Sequence, residues 1–252
     1  MSMNSLQPED DQHSIATPLF AALREIGWGE FENFHHFQTR TLFWSMVRLF
    51  GSYERIMSVL KLERSKRPFL EADIESFIIR FQIVLNDIAF LVRQLLPEDV
   101  RGLRRPPSNG EMSFMVLMDY FAKNSDYPEF KQIFSDAAEW MLELRERRND
   151  VVHYKAQVVV FESDPPSFAF HNASGPKKTE LTENGGERVV TVAVGPFVND
   201  QLLALHKFME GALVKAILQY AHRTNMKFID VAKDGRMSTT GIARFKKLNG
   251  LQ

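Results

Sequence analysis

Arg148, Asn149 and His153 are the residues whose types and spacing best suit chemistry in this 252-residue chain. They belong to the stretch from Glu143 to Tyr154, where basic side chains, an amide and a histidine crowd together in helical register. Asn149 and His153 are four apart, as are Arg145 and Asn149, so each pair shares a helix face. Arg148 to His153 is five, which is not a same-face spacing. A long arginine side chain, or a helix fraying near His153, can still bring the two heads together. Arginine with histidine suits metal-free cleavage of RNA. An imidazole can take the proton from a ribose 2′-hydroxyl or give one to the leaving oxygen. A guanidinium can hold the phosphate bidentately and offset charge that develops in the transition state. Asn149 would orient either group, and Arg145 and Tyr154 are the candidate substrate-binding residues.

The element that must position them is a long amphipathic helix. Phe130, Ile133, Phe134, Ala137, Trp140, Met141 and Leu144 recur at three- and four-residue steps, the pattern of a buried stripe. The same steps continued past Leu144 reach Arg148 and then Val151, so Arg148 stands where the pattern asks for an apolar residue. A guanidinium is almost never fully buried without a partner. Either the helix has left the core by this point, or Arg148 lines a cleft. The plain structural alternative is a solvated helix end. There Arg145, Arg147 and Arg148 would pair with Glu143, Glu146 and Asp150, and His153 would favour the C-terminal dipole.

Arg148-Asn149-Asp150-Val151-Val152-His153 resembles the signature of the HEPN superfamily: an arginine, a polar residue, and a histidine after four to six intervening residues. The resemblance implies a helical bundle, usually dimeric, with the motif facing its symmetry mate. Many members are metal-independent ribonucleases acting as toxins or defence effectors, and others are inactive scaffolds. Arg148, Asn149 and His153 would then map to the active-site positions. One toxin subgroup has a tyrosine two residues after the histidine. Lys155 stands there in this chain, so it is not assigned to that subgroup.

Composition sets the frame. With 44% hydrophobic and 25% charged residues and a formal net charge of -1, the chain reads as globular, and any RNA contact must be a local patch. The absence of cysteine excludes disulfides, thiolate zinc sites and cysteine nucleophiles. No basic-then-apolar leader is evident and no apolar run reaches spanning length, so a cytoplasmic, non-membrane protein is expected. The 21 Phe and 11 Met suit a phenylalanine-rich helical core, with apolar surface left over for a dimer interface.

In chain order, residues 1–17 lack periodicity and read as a disordered tail, and a short helix follows Pro18 and ends at Gly27. A helical pattern runs from Glu30 to about Leu62 with a break at Gly51. His35 and His36 are adjacent within it and point about 100° apart, so no shared metal site is expected. Glu71 to Leu96 is the cleanest helix, with Asn86 and Asp87 as candidate polar residues near the motif or, more commonly, part of a solvated face. Arg101 to Gly110 reads as a loop whose three arginines form a local basic patch. A shorter helix spans about Glu111 to Lys123. The motif helix follows, with Asp126 or Tyr127 near its N-cap and Pro128 in its first turn, and runs to about Val152. The pattern then becomes β: Gln157 to Phe161, Ser167 to Phe170 and Arg188 to Val194, separated by turn residues. A last helix is expected from Asn199, as N-cap, to about Arg223, followed by a basic tail over 224–252.

The fold expected is mainly α: a HEPN-like helical bundle over 18–223, with a small antiparallel β meander inserted at about 155–196 before the last long helix. No cofactor and no metal are expected. The first functional reading is a homodimeric, metal-independent endoribonuclease, with RNA as substrate and a protein partner or antitoxin as a further expectation. The second is a non-catalytic helical scaffold or interaction protein on the same fold. Its marker would be Arg148 in an intramolecular ion pair and His153 closed off.

Overall fold

A computed structural model describes residues 34–62, 69–96, 113–153, 156–171, 179–181 and 187–225. The N-terminal tail, the helix expected after Pro18, the Arg101–Gly110 loop, Tyr154 and the tail beyond 225 lie outside the described residues. The architecture is mainly helical with a small antiparallel sheet. Among the described residues, four helices come first: α1 (Phe34–Val59), α2 (Leu70–Leu95), α3 (Phe114–Lys123) and α4 (Pro128–His153). Short described strands follow: β1 (Gln157–Phe161), β2 (Ser167–His171), β3 (Thr179–Leu181), β4 (Glu187–Val189) and β5 (Val192–Ala193). The chain then returns through α5 (Val194–His206), a π-helical segment (Lys207–Leu213) and α6 (Val214–Arg223).

α2 forms the middle of the core because its apolar stripe is wide. Ile74, Phe77, Ile78, Phe81, Val84, Leu85, Ile88, Leu91 and Val92 are all buried. α1 lies antiparallel against it. Arg55 meets Asp73 at 2.7 Å at one end, and Ser45 bonds Asp87 at the other. The break expected at Gly51 does not occur, and α1 runs through it. Gly51 is exposed, and a side chain there would meet nothing within 4 Å. The roughly 1 kcal/mol that a mid-helix glycine costs is small beside the burial of Leu49, Phe50, Tyr53 and Ile56 around it.

α3 starts where Ser113 caps Val116 N–H at 3.3 Å and Asn86 of α2 accepts from Phe114 N–H at 3.2 Å. Proline opens α4, where a missing N–H loses nothing. The aromatic rings gather between α3, α4 and the π segment. Phe114 stacks on Phe134 with ring centroids 4.9 Å apart, Phe121 stacks on Phe130 at 5.1 Å, and Phe208 meets both Phe114 and Phe134 edge-on. α4 runs antiparallel to α2: Trp140 touches Phe81, and β1, which follows the end of α4, sits beside the start of α2. Arg223, at the end of α6, donates to Glu129 at 2.6 Å and to the Asp126 carbonyl at 2.9 Å, closing the far end of the bundle.

The β region differs from a simple meander. β1, β2 and β5 form one antiparallel sheet in that order, while β3 and β4 pair separately. The Arg188–Val194 run is divided between the two sheets and the first turn of α5. α5 begins at Val194 rather than at Asn199. Gly195 and Pro196 sit in its first turn, where neither disturbs the helical bonds, and Val194, Phe197 and Val198 bury one face. Val194 N–H donates to the Pro166 carbonyl at 2.9 Å, which ties the helix start to β2. Asn199 lies inside α5, and its side chain accepts from the Tyr53 hydroxyl at 3.3 Å. Among the described residues, no helix is long and apolar enough to cross a membrane.

Candidate active site

The last two turns of α4 hold two adjacent arginines in opposite environments. Arg147, not Arg148, continues the buried stripe: the inward residues are Phe130, Phe134, Ala137, Met141, Leu144 and Arg147. The expectation that Arg148 takes the apolar position is therefore corrected by one residue. Its cause is what lies over this end of the helix. Further back α4 packs on other helices, but here Phe170 of β2 and Phe197 of α5 offer ring faces. The Arg147 guanidinium lies 5.8 Å and 5.3 Å from their centroids. Glu143, one turn back, accepts from Arg147 Nη2 at 2.5 Å and from Nε at 3.2 Å. A buried guanidinium thus gains a carboxylate and two aromatic faces, the conditions under which its burial is tolerated.

Arg148 turns toward solvent and toward the rest of the motif. Its Nη1 donates to Asn149 Oδ1 at 3.1 Å and lies 2.8 Å from His153 Nε2. Residues five apart on an α-helix are separated by about 140° around the axis and about 7.5 Å along it. The three-carbon arginine stem spans that gap without fraying, and the helix continues through His153. Arginine has no acceptor and keeps its proton, so Arg148 must be the donor. For this contact to be a hydrogen bond Nε2 must be the acceptor, which is the role the ring takes in the tautomer that carries its proton on Nδ1. His153 is exposed, whereas Arg148 and Asn149 are half-buried.

Arg145 is half-buried one turn before Asn149, on the same side of the helix. Tyr154, the other candidate substrate contact, lies outside the described residues. Asn86 and Asp87 are not near the motif. Asn86 binds the start of α3, at the opposite end of α4 from His153, and accepts from Gln82 Nε2 at 3.1 Å. Asp87 is inside the α1–α2 seam, where burial pushes its carboxyl up and the bond from Ser45 offsets this only in part. Its Oδ2 finds no partner among the described residues. Neither residue is a solvated surface group. Arg147 enters the sequence reading only as an ion-paired member of a solvated helix end; the structure has the pair with Glu143 but buries the guanidinium.

The two arginines should respond oppositely to truncation. Arg147→Ala is expected to cost about 2 kcal/mol of stability, most of it lost ring contact, because Glu143 is itself half-exposed and the ion pair is screened. Arg148→Ala should stay within about 0.5 kcal/mol of the parent. Urea midpoints of the two variants check this, and equal midpoints would show that the burial difference has no energetic weight. Among the described residues, no group of three or more His, Asp or Glu side chains could hold a metal ion. Comparison of the chain with protein-family models, with curated proteins and with solved structures found no match.

Proposed function

We propose that this chain is a HEPN-like, metal-independent endoribonuclease whose working site is Arg148, Asn149 and His153. The observation that carries the reading is the Arg148–His153 contact of 2.8 Å on the exposed end of α4. It supplies a base and a phosphate-binding cation within one ligand's reach. The marker of the scaffold reading, an arginine locked in an ion pair, falls on Arg147 instead, and His153 is exposed rather than closed off.

The geometry suggests an order of events. A phosphate diester competes with His153 for the Arg148 guanidinium, since a charge-assisted bidentate pair is stronger than a bond to a neutral ring. As the guanidinium moves to the phosphate, the Nε2 lone pair is released to take the proton of the ribose 2′-hydroxyl. The 2′-oxygen then forms a bond to phosphorus and the bond to the 5′-oxygen breaks. The leaving oxygen collects a proton from the imidazolium or from water. The products carry a 2′,3′-cyclic phosphate and a 5′-hydroxyl. Asn149 Oδ1 holds the Arg148 side chain at the mouth of the site throughout.

The same face of α4 supports pairing of two copies. Leu142 and Val152, 40% and 41% exposed, flank Arg145 and Asn149 on it. Apolar side chains beside a charged cluster suit a surface that a second protomer covers in part, with a cleft left at the motif. The test is cleavage of a labelled RNA in excess chelator, with the ends of the products characterised. Fragments ending in 2′,3′-cyclic phosphate support the reading. Metal-dependent cleavage, or fragments with 5′-phosphates, would remove it.

A further inference from the structure

A second surface is built for the same class of substrate. Arg40, Trp44 and Arg48 follow one another at four-residue steps along α1, and all three are exposed, Trp44 by 49%. They form a line of cation, indole and cation about 12 Å long on one helix face. Across the seam, α2 contributes Ser76, Ile79, Arg80 and Ile83 to a groove of about 480 Å³ that Arg48 lines from the α1 side. That volume lies in the range of small-ligand sites. Arg80 is steadied by its own helix, with Nε donating to Ser76 Oγ at 2.9 Å. Glu75, the one carboxylate among the described lining residues, accepts from Val158 N–H at 3.2 Å. Among the described residues the lining carries two guanidinium groups and one carboxylate, the latter hydrogen-bonded to a backbone N–H.

We propose that this groove binds single-stranded RNA, with Trp44 as the platform on which a base stacks and Arg40, Arg48 and Arg80 as the phosphate contacts. The inference rests on the ribonuclease reading above and names the path its substrate takes. An ordinary solvated helix face accounts for surface arginines. It gives no reason for a half-exposed indole between two of them, whereas an aromatic platform among cations is how single strands are held without sequence preference. The position also fits. Asp150 of the motif helix accepts from Ala156 N–H at 2.9 Å, and Val158, two residues on, bonds Glu75. Chain geometry therefore places the Glu75 carboxylate within roughly 13 Å of the Asp150 carbonyl. A strand lying in the groove reaches the neighbourhood of His153 within a few nucleotides.

The experiment titrates a fluorescein-labelled oligouridylate of about 12 nucleotides into His153→Ala protein, which removes cleavage from the readout. Binding is followed by anisotropy and by the part of the tryptophan emission change that is lost in Trp44→Phe, since Trp28 and Trp140 also emit. Trp44→Ala is expected to weaken binding about tenfold, with Trp44→Phe restoring most of it. Arg48→Ala with Arg80→Ala should lower the slope of log Kd against log salt by about 1.4, the loss of two phosphate contacts. Trp44 and Arg48 are exposed and Arg80 is half-buried with a bond only within its own helix, so the variants should unfold within about 0.5 kcal/mol of the parent. Variants that bind like the parent, no binding at low salt, or Trp44 becoming covered only through self-association would each overturn the groove. The two ideas separate cleanly. If the native chain cleaves RNA but the groove variants bind it unchanged, the groove fails and the nuclease stands. If the variants lose binding but the native chain cuts nothing, the groove stands and the nuclease fails.

Discussion

His153→Ala is expected to lower RNA cleavage by at least about a hundredfold while shifting the unfolding free energy by no more than about 0.5 kcal/mol. The two halves of this expectation have separate physical grounds. General acid–base catalysis by a positioned imidazole contributes about 10²–10⁴ in rate, and alanine removes all of it. The ring is exposed at the end of α4, and its polar contact there is with the half-buried Arg148 side chain, so little packing is lost. Initial rates on a labelled RNA, measured alongside a urea curve, give both numbers from one preparation. Cleavage within threefold of the parent would sink the assignment of His153. Loss of activity together with a collapse in stability would point to a structural histidine.

The largest effect on folding is expected at Phe134. Phe134→Ala should cost about 4 kcal/mol. The ring is 1% exposed and makes face or edge contacts with Phe114, Phe121 and Phe208. Its removal leaves a cavity shared by α3, α4 and the π segment, so no single element can shift to fill it. Phe134→Leu keeps most of the volume and should lose about half as much. Denaturant midpoints at constant slope test this. A cost under 1 kcal/mol would mean that the cluster closes around the gap and is softer than its ring geometry implies.

Most of the helical frame was legible because its cause is local. The apolar stripes of α2 and α4 repeat over 26 residues each, and long amphipathic repeats leave few alternatives. The aromatic richness likewise pointed to the ring cluster that now fills the core. The failures occur where the decisive neighbour is distant in sequence. Gly51 reads as a break by propensity, yet tertiary burial around it keeps α1 whole. Asn199 looks like a cap, yet the first turn of α5 is set five residues earlier by the bond from Val194 to Pro166. The division of residues 187–193 between two sheets has no local signal, because strand pairing is chosen by partners far along the chain. At the site, the four-residue step put Asn149 and His153 on one face, whereas the Arg148–His153 contact spans a five-residue step and depends on the reach of the arginine side chain. The exchange of roles between Arg147 and Arg148 did not follow from spacing, since it depends on rings contributed by Phe170 and Phe197.

The π-helical segment from Lys207 to Leu213 bears on how this chain tolerates changes of length. A π turn closes its hydrogen bonds over five residues instead of four, so it accommodates about one residue more than the α path around the same axis. The flanking helices keep their buried faces: Leu202 and Leu205 before it, Ala216, Ile217 and Tyr220 after it. Elsewhere in a helix, losing one residue turns everything downstream by about 100° and pulls a buried stripe out of the core. Here a deletion at Gly211, where an added side chain would meet nothing within 4 Å, has a regular helix to fall back on. The segment has the geometry of one extra residue absorbed as a bulge, and it marks a stretch where the register of the core can lose one residue and stay in step.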